Sequence, residues 1–492
     1  MTAEGRPHVP VMLTDLYQIT MAYAYWRAGI AEKDACFHAS FRRNPFGGGY
    51  AVAAGLEQVV EYLTGIRFSA EDVAYLATLS GNDARPLFSP EFLAMLRDVR
   101  FTCDVDAVAE GTVVFPGEPL VRVSGPILQC QIVETALLNI VNFQTLIATK
   151  AARVCSAAQG DPVLEFGLRR AQGPDGGLSA SRAAYIGGCA ATSNVLAGQR
   201  WGVPVGGTHA HSWVMAFDTE LEAFLAYADA MPNNVTLLVD TYDTLDGVRH
   251  AVAVARHLAA LGHSMIGIRI DSGDLAWLSN RAREILDEAG LAEVKIYASN
   301  ELDEYLIKSL KEQGAAIDVW GVGTRLATAE GQPSLGGVYK LSAMREPGGA
   351  WEPRIKVSEQ ASKVTMPGVL QVRRFTREGR FDGDMIYNED HAPAADCTMV
   401  DPDDSTRRKA FSGEPADDLL RPVLRRGEPV SELPSLCDAR ERAGAQLGML
   451  DDGVKRFLNP HTYSVGVELG LQELRTSLIL KARGLARAEG GA

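Results

Sequence analysis

The chain has 492 residues, 46% hydrophobic and 22% charged, with a formal net charge of -14. This is the composition of an ordinary globular protein, neither disordered nor fibrous, and the length predicts two domains or a barrel with a large accessory layer. The acidic balance disfavours nucleic acid and anionic membranes as partners.

Met1 to Pro10 lack the basic-then-apolar pattern of a signal peptide. No apolar run nears the roughly 20 residues a bilayer span requires, so a cytoplasmic location is expected. The seven cysteines include no C-x-x-C pair, which fits neither a disulfide framework nor a zinc knuckle, and buried reduced thiols are expected.

Alternating apolar residues around Gly111 and Pro116-Gly117 predict a β-hairpin layer over Val105 to Val123, and a long helix follows from Gln129 to Arg153. From Val163 to Thr324 a different pattern repeats, in which a short apolar run ends in polar or glycine residues and a helical stretch follows. Val163 to Phe166 leads into Gly167-Leu168-Arg169-Arg170. Val235 to Val239 ends in Asp240-Thr241-Tyr242-Asp243, ahead of an amphipathic helix over Leu245 to Leu261. Met265 to Ile270 ends in Asp271-Ser272-Gly273-Asp274, ahead of a helix over Leu275 to Ala289. Val294 to Ala298 ends in Ser299-Asn300-Glu301, where Ser or Asn can cap a helix running through Lys311. Asp318 to Val322 ends in Gly323-Thr324-Arg325.

This alternation predicts a parallel sheet buried on both faces, as a barrel or a doubly wound sheet. Ligands of such sheets sit at the carboxyl ends of the strands, where this sequence places its Asp, Arg, Ser, Asn and Gly residues. Beyond Lys340 the chain reads as strand-like through Val372, then turn-rich and acidic from Arg377 to Asp417, with a last helix over Leu471 to Ala488.

Four clusters carry chemistry. In Glu165 to Ser181, two arginines leave a strand end and enter a glycine-rich loop that runs into a helix. Guanidinium forks and backbone N-H groups converge there, which suits phosphate or carboxylate; a surface loop with incidental arginines is the plain alternative. In Gly206-Gly207-Thr208-His209-Ala210-His211 the alternating histidines lack further metal-ligand partners beyond His250. A catalytic or phospho-accepting imidazole and a hydrogen-bonded core histidine both fit. In Arg269 to Asp274 an Asp can accept both hydroxyls of a ribose, while an Arg two residues earlier points to the same side of the strand and can pair with an anion. Helix capping by Ser272 or Asp274 is compatible with that reading. Gly321-Val322-Gly323-Thr324 offers backbone donors late in the repeat, where barrels hold phosphate.

Thr14-Asp15-Leu16-Tyr17-Gln18 with Thr20-Met21, Asn44 to Gly48, Gly167 to Ser181, Gly207 to Ser212, Asp271 to Leu275, Pro333 to Lys340 and Asn459-Pro460-His461 together resemble the nicotinate phosphoribosyltransferase family. The matches run in order from residue 14 to about residue 480. The resemblance implies an irregular α/β barrel, residues 146–342, packed against an α/β sandwich built from residues 1–145 and 343–492. It also implies a homodimer with sites at the subunit boundary, nicotinate, phosphoribosyl pyrophosphate and ATP as ligands, and Mg2+ held through the pyrophosphate. The activity implied is the first step of NAD synthesis from nicotinate.

By the same resemblance His211 is phosphorylated by ATP, and Tyr17 of a neighbouring subunit and Phe166 sandwich the pyridine ring. Thr208 and Arg269 hold the carboxylate, Asp271 the ribose, and Arg169 and Lys363 the pyrophosphate. Ser299, Asn300, Gly321, Gly323 and Thr324 take the phosphate-bearing end. Sister enzymes that use nicotinamide place an Asp where this chain has Asn194; a carboxylate there would repel nicotinate, whereas Asn tolerates it. The rival readings are a nicotinamide phosphoribosyltransferase and a non-catalytic nucleotide sensor. A Schiff-base aldolase would need a Lys at a strand end, and none of the five ends supplies one.

Overall fold

The apolar runs of the middle of the chain pair side by side. In the computed structural model, which describes residues 9–360 and 363–485, they form β1 (Val163–Glu165), β2 (Ala191–Thr192), β3 (Thr236–Leu238), β4 (Gly267–Ile270), β5 (Lys295–Ala298) and β6 (Val319–Val322). These make a six-stranded sheet in the order β2-β1-β6-β5-β4-β3, and every pairing is parallel. β2 has only two residues, too few for any periodicity to announce it.

Val235, Leu237, Val239, Ile268, Ile296, Trp320 and Val322 are wholly buried, as strands covered on both faces require. Each such side chain contributes about 1.5–3 kcal/mol of transfer free energy. The helices Gly173–Ile186, Thr244–Ala260, Leu275–Glu288 and Glu304–Glu312 return the chain between strands. Asp243 and Asp274 cap two of them, each accepting a backbone N-H of the first turn.

The expected cap at Ser299 or Asn300 is displaced. Asp303 caps the helix through Lys311, accepting from the Tyr305 and Leu306 amides at 3.0 and 2.8 Å. The chain needs the intervening residues to turn, and it does so with Asn300 and Glu301 at φ of 96° and 38°. Ser299 is thereby left outside the helix, free to point at the site.

The chain divides into two units, Leu146–Pro333 and the pair of segments Met1–Thr145 and Ser334–Ala492. The predicted helix from Gln129 to Arg153 is two helices, Ile127–Ile132 and Glu134–Ala157. In the segmented unit, Asp34–Phe41 pairs antiparallel with both Val121–Pro126 and Gly337–Arg345 inside a seven-stranded sheet. The predicted hairpin layer appears there as the antiparallel pairing of Asp104–Ala107 with Val121–Pro126.

The stretch read as turn-rich and acidic is mostly sheet. Arg380–Asn388, Asp396–Val400, Arg408–Ser412 and Ala416–Asp418 join Leu370–Arg377 and Val465–Glu468 in a second six-stranded sheet. Acidic residues there are neutralised by cations of the same sheet: Asp384 pairs with Arg374 and Asp418 with Arg373 on adjacent strands, and Asp382 with Lys409 three strands away. Met385, Ile386, Met399, Val400 and Phe411 supply the core between them. The final helix is Leu469–Ala482, and the end of the predicted one, past Leu485, lies outside the described residues. No helix among the described residues is long and apolar enough to cross a membrane.

His38 fastens the two large sheets of this unit. Its Nδ1 meets the Ser342 hydroxyl at 2.9 Å and its Nε2 accepts from the Leu370 amide at 3.1 Å. Burial, reinforced by the nearby Arg122 charge, holds the imidazole down to a pKa of about 3. A depressed histidine adds stability above about pH 6.5 that is lost as the pH falls, because the unfolded chain takes up a proton the native protein refuses. The stability difference between wild type and His38→Gln should shrink by about 2 kcal/mol between neutral pH and pH 5 in chemical unfolding. A difference that stays constant over that range would mean that His38 titrates normally.

Candidate functional site

Arg269, the third residue of β4, carries the centre of the site. Its Nε donates to Ser299 Oγ at 2.8 Å, Nη1 to Thr208 Oγ1 at 3.0 Å and Nη2 to Asp271 Oδ1 at 3.0 Å. A guanidinium has five N-H groups in a fixed fork, so three are spent on orientation and two remain for a ligand. The side chain is only 15% exposed, so those donors act where water competes poorly. Thr208 is oriented in turn by donating its hydroxyl to the His209 carbonyl at 3.2 Å.

The Arg269 guanidinium lies 5.7 Å from the centre of the Phe166 ring. Phe166 continues the sheet through its amide, which donates to the Val322 carbonyl at 2.8 Å. Its ring fills the place a side chain at position 321 would need: a Cβ on Gly321 would lie 2.8 Å from two ring carbons. Gly167 is equally constrained, since a Cβ there would come within 2.3 Å of the Ala327 Cβ.

Beneath Phe166 the buried carboxylate of Glu165 accepts from the Gly167 amide, from Ser181 Oγ at 2.9 Å and from Thr192 Oγ1 at 2.6 Å. Three donors from three elements offset the cost of burying this charge. They also fix the exit of β1, from which Arg169 emerges on the short turn Leu168–Arg170.

The two histidines are sorted by their surroundings. His209 is buried; its Nε2 accepts from the Leu238 amide at 3.2 Å, which leaves Nδ1 to donate to the Ala210 carbonyl at 3.3 Å. Burial draws its pKa below the ordinary value, against the hydrogen bond to Ala210. His211 is 41% exposed at its side chain, with Nδ1 at 3.2 Å from Thr241 Oγ1 and Nε2 at 3.9 Å from Asp271 Oδ2. A neutral, fully engaged ring is thus set beside one that faces open space.

Asp271 accepts from Arg269 and from the Ser299 hydroxyl through one oxygen. Its amide donates to Asp240 Oδ2 at 2.8 Å, and that oxygen also accepts from the Ser272 hydroxyl at 2.6 Å. The other Asp240 oxygen, Oδ1, is buried with no hydrogen-bond partner.

Phe166, Arg169, Thr208, His211, Arg269 and Asp271 line one cavity of about 350 Å3. Ser299 reaches this group through Arg269 and Asp271, and Gly321 and Gly323 lie against Phe166 from behind. Asn300 stands at the neighbouring strand end, and Thr324 donates to Glu301 Oε1 at 3.3 Å.

Three expected residues lie elsewhere. Asn194 is 3% exposed and caps the helix Val195–Trp201, its Oδ1 accepting from the Leu196 and Ala197 amides while its Nδ2 donates to Ser181 Oγ at 3.1 Å. Both ends of its side chain are therefore committed to the protein. Tyr17 and Lys363 belong to the segmented unit, Tyr17 half-exposed on the helix Leu16–Arg27. Lys363 lines a recess of about 310 Å3 with Arg42, Lys340 and Arg475. Burial draws the Lys340 ammonium below its ordinary value, with Lys356 and Arg42 adding like-charge repulsion against the pull of Glu134.

Sequence reasoning assigned no role to Glu165, Asp240 or Thr241. The last two stood in a polar strand end, a visible signal; Glu165 gave only an acid at the close of an apolar run, which periodicity does not weigh.

The family model described as the nicotinate phosphoribosyltransferase N-terminal domain matches residues 12–142, and the one for the C-terminal domain matches residues 371–475. The nicotinate phosphoribosyltransferase of Bacillus subtilis is 45% identical over 457 residues, covering 92% of this chain and 91% of that protein. The human protein of that name is 38% identical over 533 residues, covering 96% and 98%. A crystal structure of human nicotinic acid phosphoribosyltransferase superposes with a TM-score of 0.84 at 36% identity, over 94% of this chain and 99% of that one. The chain belongs to the nicotinate phosphoribosyltransferase family.

Proposed function

We propose that this protein transfers the phosphoribosyl group of phosphoribosyl pyrophosphate to the ring nitrogen of nicotinate, coupled to ATP, and releases nicotinate mononucleotide and pyrophosphate. The observation that carries this reading is the fork of Arg269, braced on three sides with two donors left over beside Thr208. A carboxylate matches that geometry bidentately; the amide of nicotinamide offers one acceptor and would leave a buried donor unpaired.

The pyridine nitrogen attacks with its own lone pair and loses no proton, so no general base is needed. The new C-N bond forms as the bond to pyrophosphate breaks, and the leaving oxygen takes the electron pair. The protein contributes orientation and charge: Phe166 sets the ring plane, Arg269 and Thr208 its direction, and Asp271 the ribose hydroxyls. Arg169 meets the pyrophosphate, and Ser299, Asn300, Gly321, Gly323 and Thr324 the phosphate end. In a homodimer Tyr17 of the neighbouring subunit would close the ring sandwich opposite Phe166. The parallel sheet is then a wall of a barrel spanning residues 146–342, with residues 1–145 and 343–492 as the sandwich.

Among the described residues no group of three or more His, Cys, Asp and Glu side chains could hold a metal alone. The unpartnered oxygen of Asp240 beside Asp271 nonetheless suits an oxygen-seeking cation that arrives on a phosphate, and Mg2+ so held would neutralise the leaving group. His211 takes the terminal phosphoryl group of ATP, a nitrogen-phosphorus bond forming as ADP leaves, and water later cleaves it. A charged phosphoimidazole at the cavity mouth can favour a closed state that hydrolysis releases.

The test is mononucleotide formation by the purified protein with phosphoribosyl pyrophosphate, Mg2+ and either nicotinate or nicotinamide, with and without ATP. Nicotinate should be strongly preferred; an equal or better rate with nicotinamide would overturn the proposal. Arg269→Ala should lower kcat/KM for nicotinate by roughly 10² to 10³, the cost of losing one preorganised donor, and near wild-type turnover would exclude the carboxylate contact. His211→Ala should abolish stimulation by ATP while some ATP-independent turnover survives. Continued 32P labelling of that variant would place the phosphoryl group elsewhere.

A further inference from the structure

His211 has few constraints of its own. It begins a four-residue helix, its side chain is 41% exposed, and its hydrogen-bonding side-chain partner among the described residues is the Thr241 hydroxyl at 3.2 Å from Nδ1, with Asp271 Oδ2 farther off at 3.9 Å from Nε2. Thr241 in contrast is well anchored. It follows Asp240 at the end of β3, and Asp240 is fixed by the Asp271 amide at 2.8 Å and the Ser272 hydroxyl at 2.6 Å. Behind it the Val239 amide donates to the Arg269 carbonyl at 3.1 Å, so the exits of β3 and β4 are tied to each other.

From this geometry we infer that Thr241 is a positioning residue for His211: its hydroxyl holds Nδ1 and sets the plane of the imidazole at the cavity mouth. An imidazole with one held nitrogen keeps a single ring orientation, which spares the phosphoryl transfer the entropy of aligning a free rotor. The same chain of bonds, Arg269 and Asp271 to Asp240 to Thr241 to His211, joins the group that receives phosphate to those that receive nicotinate and ribose. The inference rests on the phosphohistidine reading of His211, and its test keeps the two apart.

The experiment measures initial rates of 32P transfer from γ-labelled ATP to the protein for wild type, Thr241→Val, Thr241→Ser and His211→Asn, with thermal unfolding to verify each fold. Thr241→Val should label about tenfold more slowly at saturating ATP, the effect of one lost hydrogen bond, with the KM for ATP changed little. Thr241→Ser, which restores the hydroxyl, should recover most of the rate. If the valine variant does not fold, Thr241→Ala replaces it, with the same expectation. Labelling of the valine or alanine variant at the wild-type rate, a serine variant as slow as either, or a loss confined to KM would overturn the role of Thr241 while leaving His211 in place. Labelling of His211→Asn would remove the phosphohistidine itself, and the role of Thr241 with it.

Discussion

The hold on the Arg269 guanidinium is the constraint on which the other features of the site depend. Three hydrogen bonds to Ser299, Thr208 and Asp271 come from three different chain exits, so the fork is correct only when all three loops are correct. A long flexible cation would ordinarily lose considerable rotamer entropy on meeting an anion. Here that cost falls on folding, and the donors stand ready before a ligand arrives. The arrangement also explains why these donors sit on strands. The parallel register of β4 and β5 puts Tyr297 beside Arg269, one residue short of the turn, and Ser299 then reaches back across the strand end.

An acidic chain that binds anions faces a field of the wrong sign, and this one answers locally rather than globally. Asp271 and Asp240 sit at the heart of the site, yet one oxygen of each is held by donors: Asp271 Oδ1 by Arg269 and Ser299, Asp240 Oδ2 by a backbone amide and Ser272. Glu165 is treated in the same way one layer below. The negative charges nearest the cavity are thus ones that hold its donors in place. Two histidines two residues apart receive opposite treatment by the same logic, one buried and saturated with backbone partners, the other kept at the surface.

Much of this was legible in the sequence because strand ends write their chemistry in a short contiguous code. Arg269 and Asp271 share one face of one strand exit, and period-two alternation alone puts them together. The parallel sheet followed from repeated apolar runs of the right length. What escaped was non-local. Nothing in Asp303 distinguished it from Ser299 as a cap, because the choice depends on how many residues the turn consumes. The acidic stretch after Arg377 concealed strands because its cationic partners, Arg373, Arg374 and Lys409, are assigned only once the strands pair. Asn194 shows the opposite limit: alignment gave it a position, while the helix it caps and the serine it donates to decide what its side chain does.

The close fit of Phe166 over Gly321 has one more consequence. The depth of the slot on that side is set by an absent atom: the aromatic plate rests directly on main chain, with nothing between to yield. Any residue with a β-carbon at 321 would push the plate forward by part of its own thickness. A flat guest would then be excluded by shape alone, with every polar anchor still in place.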